Sequence, residues 1–437
     1  MILSSLFKNK TVKNAGYLIA GKIIQMVFGL VVGLLTARYL GPTNYGLINY
    51  AGAYTAFFAS FCTLGINSVL VKELVDHPHE EGMVLGTTLL LRAISSILSA
   101  ITVIIIVTII DAGETMTIIV VSLSSIGMVF HISEAFNYWF QRRLESKVTA
   151  KAALIAYVVS SAYKVFLLLT GKSVVYFALV TSLDYLCLGV ILFYEYKKSN
   201  GPTLVFSKAY GKELLRKSTH FILPGLMVSI YGQTDKLMLK QMIGETEIGY
   251  YATAVALCGM WCFVLSAIID SVYPSIMEAA KSKNEPLFRK RNIQLYAIVF
   301  YLSIFVSLCL TVLGRPIVYI LYGKSYLPAV APLRIITWYT AFSYLGVARN
   351  AWVVAKDRQK HLFLIYAASA LANVVLNLLL IPSMGASGAA IASLVAQVFT
   401  TLVVPFFIKD MKENSMMILD AIMLRGIIWN RTDKKEN

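Results

Sequence analysis

The chain has 437 residues, 58% of them hydrophobic and only 14% charged, against roughly half and a quarter in an average soluble domain. With a mean hydropathy of +0.70 this composition excludes an ordinary soluble protein, and the net charge of +16 needs a membrane-compatible explanation. Apolar runs of about 20 residues, enough for one helix to cross a bilayer, recur along the whole length. Runs such as Ile101 to Ile110 lack the apolar/polar alternation of a membrane β-strand. The reading is an all-α integral membrane protein of about twelve transmembrane helices, at about 35 residues per pass and loop, with no room for a large extramembrane domain.

In chain order the predicted spans cover roughly 14–40, 44–70, 83–110, 116–140, 148–170, 173–196, 218–242, 247–275, 292–313, 328–355, 361–381 and 386–408. The basic segment Met1 to Lys13 leads into an apolar run without a small-residue cleavage pattern, which reads as a retained first span. Lys and Arg crowd the connections after even-numbered spans and the two ends, for example Lys197, Lys198, Lys208, Lys212, Arg216 and Lys217. The positive-inside rule then puts both termini in the cytoplasm, and it accounts for most of the cations without a nucleic acid partner. The five cysteines (Cys62, Cys187, Cys258, Cys262, Cys309) lie in apolar runs without zinc spacing. No GxxxxGK[ST] loop or HExxH occurs, so no metal, cofactor or bound nucleotide is expected, and energy must come from gradients or from the substrate. After the last span, Met416 to Trp429 is too short to cross and reads as a surface amphipathic helix.

The turn Gly41, Thr43, Gly46 with Ala51 and Ala53 returns as Gly244, Thr246, Gly249 with Ala254 and Ala256, at a constant offset of 203 residues. That offset, near half the length, points to two pseudo-repeat six-helix lobes in parallel orientation around a central cavity. The expected division is 1–200 for the N-terminal lobe, 201–410 for the C-terminal lobe and 411–437 for a cytoplasmic tail. Polar or small residues step by three or four along spans one (Lys22, Gln25, Gly29, Gly33, Thr36), two (Asn49, Ala53, Ala56, Ser60, Thr63, Asn67), seven (Gly225, Ser229, Gln233, Lys236, Lys240) and eight (Gly259, Cys262, Ser266, Asp270), so each set shares one helix face. Helix packing is the ordinary use of such stripes; the cations on them favour a water-filled cleft. Lys22, Arg92, Lys164, Arg334 and Arg349 lie inside spans, where a lipid-facing charge costs a few kcal/mol or more. Glu134, Asp184, Asp235 and Asp270 are the acids inside spans, and Asp235 is equally readable as half of a structural salt bridge.

Four segments resemble one family. These are Ala37 to Pro42 with Tyr45-Gly46 and Leu64-Gly65-Ile66; Asp235-Lys236 followed by Gly244 and Gly249 to Ala254; Leu321-Tyr322-Gly323 with Tyr326 and Ala329; and Asn373, Asn377, Ile381-Pro382, Gly385 and Gly388 to Ala390. In this order the chain resembles the polysaccharide-biosynthesis flippases of the multidrug/oligosaccharidyl-lipid/polysaccharide exporter superfamily. The resemblance implies a twelve-helix, two-lobe fold with a cavity bounded by the first, second, seventh and eighth helices. It further implies a basic cavity holding the diphosphate of a lipid-linked (undecaprenyl-diphosphate-type) oligosaccharide. Arg38 and Lys236 carry over on motif; Lys22, Arg92, Lys240 and Arg349 are candidates by position and charge. Gln25, Asn49 and Gln233 are candidate sugar hydrogen-bonding groups, and Tyr50, Tyr54 and Tyr231 candidate stacking rings. Asp235, Asp270 and Glu134 are the candidates for ion coupling.

The expected activity is non-catalytic: translocation of a lipid-linked oligosaccharide repeat unit by alternating access, the lipid tail staying in the bilayer. Expected partners are that substrate, membrane lipids, and a glycan polymerase with other assembly proteins. Two rivals stand beside it. A multidrug or cation exporter of the same superfamily would want carboxylates where this interior is cation-rich, and a non-transporting scaffold of a glycan assembly complex would tolerate loss of the cations. A membrane enzyme acting on the same lipid-linked sugars would need a large outer loop or an Asp-rich metal site.

Overall fold

A computed structural model describes the backbone of residues 10–425 and the side chains of 28–425 apart from 223 and 224. The described residues form helices and turns with no strand, the outcome expected where lipid leaves every backbone amide to be satisfied within its own helix. The chain divides into two compact units, Met1–Gln233 and Thr234–Asn437.

Unit one contains α1 (Lys10–Thr63), α2 (Asn67–Asp76), α3 (Glu81–Ile110), α4 (Thr115–Phe130), a 3-10 turn at His131–Glu134, α5 (Ala135–Arg142), α6 (Ser146–Leu169), α7 (Val180–Lys198) and most of α8 (Lys208–Met242). Unit two continues with α9 (Glu245–Gly259), α10 (Cys262–Lys281), α11 (Glu285–Tyr322), α12 (Val330–Ala355), α13 (Leu362–Val398) and α14 (Lys412–Ile422). Local chemistry sets several of these ends. Asn284 accepts from the Leu287 amide at 3.1 Å ahead of α11, with Pro286 in the first turn, where a missing N–H costs nothing.

Eight stretches among the described residues are long and apolar enough to cross a membrane. Two of them, Phe28–Asp76 and Gln359–Phe407, run to 49 residues, about twice what one pass needs, and each is broken at a glycine with positive φ, Gly41 (φ 68°) and Gly385 (φ 53°). α8 and α12 fall outside the eight: the first carries Gln233, Asp235, Lys236 and Lys240 and the second Arg334 and Arg349. The expected count of twelve is reached only by admitting such polar helices as spans.

The turns carry the repeat. Positive φ occurs in strict alternation at Gly41, Leu64, Gly113, Leu144, Gly171, Asn200, Gly244, Lys283, Gly323, Asp357, Gly385 and Leu424, with Gly65 beside Leu64. Glycine therefore closes every other turn, three times in each unit, and the repeat partners Gly41 and Gly244 share an extended ψ of 172° and 178°. A side chain at φ of 68° or 134° would be strained, so the 203-residue repeat preserves a backbone requirement.

The buried aromatic cluster of unit one gathers Phe136, Trp139, Phe140 and Tyr196 under Ile66, Leu70 and Leu85. Trp139 Nε1 donates to Glu81 Oε2 at 2.7 Å, and Arg142 pairs with the same carboxylate. Across the start of α3 lies the segment 201–207, whose Val205 amide donates to the Gly82 carbonyl at 3.1 Å and whose Ser207 amide donates to Thr87 Oγ1 at 3.1 Å. Gly82 and Gly86, one helical turn apart, make the groove: a Cβ on Gly86 would meet Val205 O at 2.6 Å and Val205 N at 2.7 Å, and one on Gly82 would strike the Thr203 carbonyl. Overpacking of this kind costs about 1–3 kcal/mol. Gly86→Leu is expected to lift the segment and speed tryptic cleavage at Lys208, whereas Gly33→Ala, where a Cβ meets nothing within 4 Å, should leave digestion unchanged.

In unit two, Leu265, Phe288, Tyr296, Trp352 and Ile365 form the core with Met417, Ile418 and Ala421 of α14. α14 is amphipathic and lies along α11: Asn414 Nδ2 donates to Tyr296 Oη at 2.6 Å, and Arg289 pairs with Asp420 at 2.7 Å. The remainder of the expected tail helix, residues 426–429, lies outside the described residues.

Candidate functional site

In unit two the polar centre is Asp235. It sits on α8 at 4% exposure and accepts four hydrogen bonds from uncharged side chains. Asn373 Nδ2 and Asn377 Nδ2 of α13 reach Oδ1 at 3.1 and 2.7 Å, while Tyr251 Oη of α9 reaches Oδ2 at 2.5 Å and Ser393 Oγ donates to the same oxygen. The spacing of Asn373 and Asn377 puts both amides on one face of α13, and Asn377 Nδ2 also reaches Asn373 Oδ1 at 3.1 Å. Ser393 comes from beyond the break at Gly385, where the Ala386 amide donates to Glu247 Oε2 at 2.7 Å. A carboxylate thus holds the new helix start in place. The break lets the two halves of α13 bring Asn373, Asn377 and Ser393 to one carboxylate. Asn377 Oδ1 is buried without a partner, leaving an acceptor beside Asp235.

Near this centre Lys240 is buried and paired with Glu245 at 3.0 Å, and Lys236 is partly buried. Arg349 is wholly buried; its Nη1 donates to the Thr400 carbonyl at 3.1 Å, a group in the π-helical turn Phe399–Val403. Its Nε and Nη2 have no hydrogen-bond partner. Asp270 is exposed.

In unit one Arg92 of α3 is wholly buried. Its Nη2 donates to the His131 carbonyl at 3.0 Å and lies 3.6 Å from Glu134 Oε2. Arg38 is exposed, and Asn49 is half-buried with its amide nitrogen donating to the Tyr45 carbonyl at 2.9 Å. Gln233, also half-buried, ends unit one. The side chains of Lys22 and Gln25 lie outside the described residues. Tyr50 and Tyr54 are buried against each other, ring centroids 5.1 Å apart, and the Tyr50 hydroxyl donates to Asp111 at 2.8 Å; these rings are packed and hydrogen-bonded. The stripes of the second and seventh predicted spans meet at Ser60, whose hydroxyl lies 3.2 Å from that of Ser229 and would stand 3.1 Å from a Cβ on Gly225. Here the small residues serve close packing.

The structure thus groups Asp235 with Tyr251, Asn373, Asn377 and Ser393, and Arg92 with Glu134 and His131. Ser393 and His131 have no place in the sequence reading, and Tyr251 stands there only inside the motif Gly249 to Ala254. For His131 the available signal is its place three residues before a glutamate in an apolar run. No group of three His, Cys, Asp or Glu among the described residues is placed to hold a metal.

Residues 11–280 match the family described as polysaccharide biosynthesis protein. The chain belongs to that family. It is 22% identical over 410 residues to the capsular polysaccharide biosynthesis protein CapF of Staphylococcus aureus, covering 91% of this chain and 99% of CapF. Its fold is similar to that of a multidrug resistance MATE family transporter of the MOP superfamily in an inward-facing conformation, with a TM-score of 0.66, 14% identity, and coverage of 91% and 96% of the two chains. It is likewise similar to the lipid II flippase MurJ in an inward closed conformation, with a TM-score of 0.64, 15% identity, and coverage of 96% and 93%. This member of the polysaccharide biosynthesis family is therefore a multi-pass membrane protein with the fold of MOP-superfamily transporters.

Proposed function

We propose that the protein is a flippase that carries a lipid-linked, undecaprenyl-diphosphate-type oligosaccharide repeat unit across the cytoplasmic membrane by alternating access. The observation that carries this reading is the membership of a polysaccharide biosynthesis family by a chain with a transporter fold; CapF, named for capsular polysaccharide, and MurJ, named as a lipid II flippase, support it. The tail of such a substrate is at home in lipid, so only its diphosphate and sugars need polar contacts. Arg38 and Lys236 are the proposed phosphate contacts, with Lys22, Gln25, Asn49, Arg92, Gln233, Lys240 and Arg349 as further candidates. Arg92, Lys240 and Arg349 would each have to exchange the partner described above for a phosphate. Moving one net negative charge out of a cell with a negative interior gains about 2.3 kcal/mol per 100 mV, so the potential itself favours export. Asp235 is the proposed coupling carboxylate, ahead of Glu134 and the exposed Asp270. Membrane lipids, a glycan polymerase and other assembly proteins are the proposed partners.

The likeness to a MATE multidrug transporter is the specific observation behind a second reading, export of drugs or other cations. Complementation separates the two. In a strain lacking its own glycan flippase, the wild-type chain should restore surface glycan and clear lipid-linked repeat units from the cytoplasmic leaflet, with no gain in resistance to cationic drugs. Resistance without glycan export would select the multidrug reading.

A further inference from the structure

The contacts of Arg92, His131 and Glu134 assign protons. Nδ1 of His131 lies 3.3 Å from Arg92 Nη2 and 3.2 Å from Glu134 Oε2. A guanidinium only donates and an ionised carboxylate only accepts. Nδ1 accepts from Arg92, so it is bare and the imidazole proton sits on Nε2, while the Glu134 oxygen lies close to it without a hydrogen bond. The same Nη2 also donates to the His131 carbonyl at 3.0 Å. A proton added at Nδ1 would displace the bond from Arg92 and find Glu134 Oε2 as its nearby acceptor, with Arg92 keeping the His131 carbonyl.

We propose that His131 and Glu134 form a proton-binding site within unit one, with Arg92 as its fixed counter-charge; as part of a transport cycle this rests on the transporter reading, but as a binding site it does not. At rest a neutral His131 accepts from Arg92 at Nδ1, and the three groups sum to zero charge. One further proton, delivered from water, adds to Nδ1, which then turns from Arg92 to the Glu134 carboxylate 3.2 Å away, and takes the site to plus one, leaving imidazolium and guanidinium to share a single carboxylate. His131 also lines a cavity of about 270 Å³ with Thr55, Cys62, Ser124 and Tyr185, a space from which water can deliver that proton.

Three features make the site responsive. Arg92 keeps Nε and Nη1 buried without partners, so its present state is incompletely satisfied and a second arrangement has something to gain. The pair joins α3 to the 3-10 turn between α4 and α5, and a short 3-10 stretch between α-helices often marks a hinge. Displacing Arg92 from His131 Nδ1 would remove one of the links that tie α3 to that turn. The other titratable groups around it are Tyr138 on α5, Tyr185 on α7 with Asp184 beside it, and Cys62 on α1 next to Arg92. The imidazole of His131 packs with its ring centroid 4.4 Å from that of Tyr185, and among the described residues Glu134 is the carboxylate paired with it.

The test uses the full chain with 15N-labelled histidine in lipid nanodiscs, titrated between about pH 5 and 8, where histidine changes charge; the chain has five histidines, and His131→Gln assigns the signal. The expected result is an Nε2-protonated His131 that becomes doubly protonated on acidification. In Glu134→Gln its titration should change, whereas Glu134→Asp should keep it near wild type and guard against a variant that fails to fold. Transport in proteoliposomes should lose its pH dependence in Glu134→Gln and retain it in Glu134→Asp. A neutral His131 protonated at Nδ1, or one whose titration is the same in Glu134→Gln, overturns the site. A titrating pair in a chain that moves no lipid-linked oligosaccharide would sink the flippase reading while leaving the proton site standing.

Discussion

Asp235→Asn is expected to reach the membrane at close to the wild-type level and to lose most glycan export, whereas Asp235→Ala loses both. The carboxylate accepts from Tyr251, Asn373, Asn377 and Ser393 at 4% exposure. Removing the acceptor leaves up to four buried donors unpaired, at about 1–3 kcal/mol for each that finds no new partner. That is a large share of the roughly 5–15 kcal/mol by which a domain is stable, so Asp235→Ala should accumulate poorly. Asparagine keeps the shape and one acceptor oxygen, so part of the network survives while the negative charge is gone. The measurement is export per unit of membrane-inserted protein, with thermal stability in detergent as the control. Normal export by Asp235→Asn would show that the charge does no transport work and that Asp235 is only a structural anchor.

This network also marks where the sequence stops being legible. The helices, the 203-residue repeat and the glycine turns are written locally, in apolar runs and in residues tolerant of positive φ. Asp235 was readable as an intramembrane acid, but its partners lie 16, 138, 142 and 158 residues away, and no spacing rule spans such distances. The sequence equally allows a salt bridge with a cation; the hydrogen-bonding partners are uncharged side chains. The same holds for Arg92, whose charge predicted an interior position but not the contact with His131 and Glu134 across 39 and 42 residues. Helix stripes carry an ambiguous use, since small residues suit close packing and water-filled space alike; Ser60 and Ser229 are packed. The span count depends on whether polarity or length is weighted in α8 and α12, which carry Gln233, Asp235, Lys236, Lys240 and Arg349 among the candidates.

Arg38→Ala and Lys236→Ala are each expected to lower export strongly, and the double variant to abolish it, with lipid-linked repeat units accumulating on the cytoplasmic side. A charge-assisted hydrogen bond to phosphate contributes about 1.5–3 kcal/mol, which is roughly 10- to 150-fold in occupancy at subsaturating substrate. The two positions should differ in their tolerance of the other cation. Arg38 is exposed and, if it grips phosphate with two N–H groups, Arg38→Lys loses the second bond. Lys236 is partly buried directly after Asp235, so Lys236→Arg adds volume next to a buried hydrogen-bonded carboxylate and should also lower protein level. Pulse-labelled translocation of the lipid-linked oligosaccharide, normalised to inserted protein, reads these differences directly. If both alanine variants and the double variant export at the wild-type rate, the diphosphate is held elsewhere or not at all, and a scaffold role in glycan assembly becomes the better account of this chain.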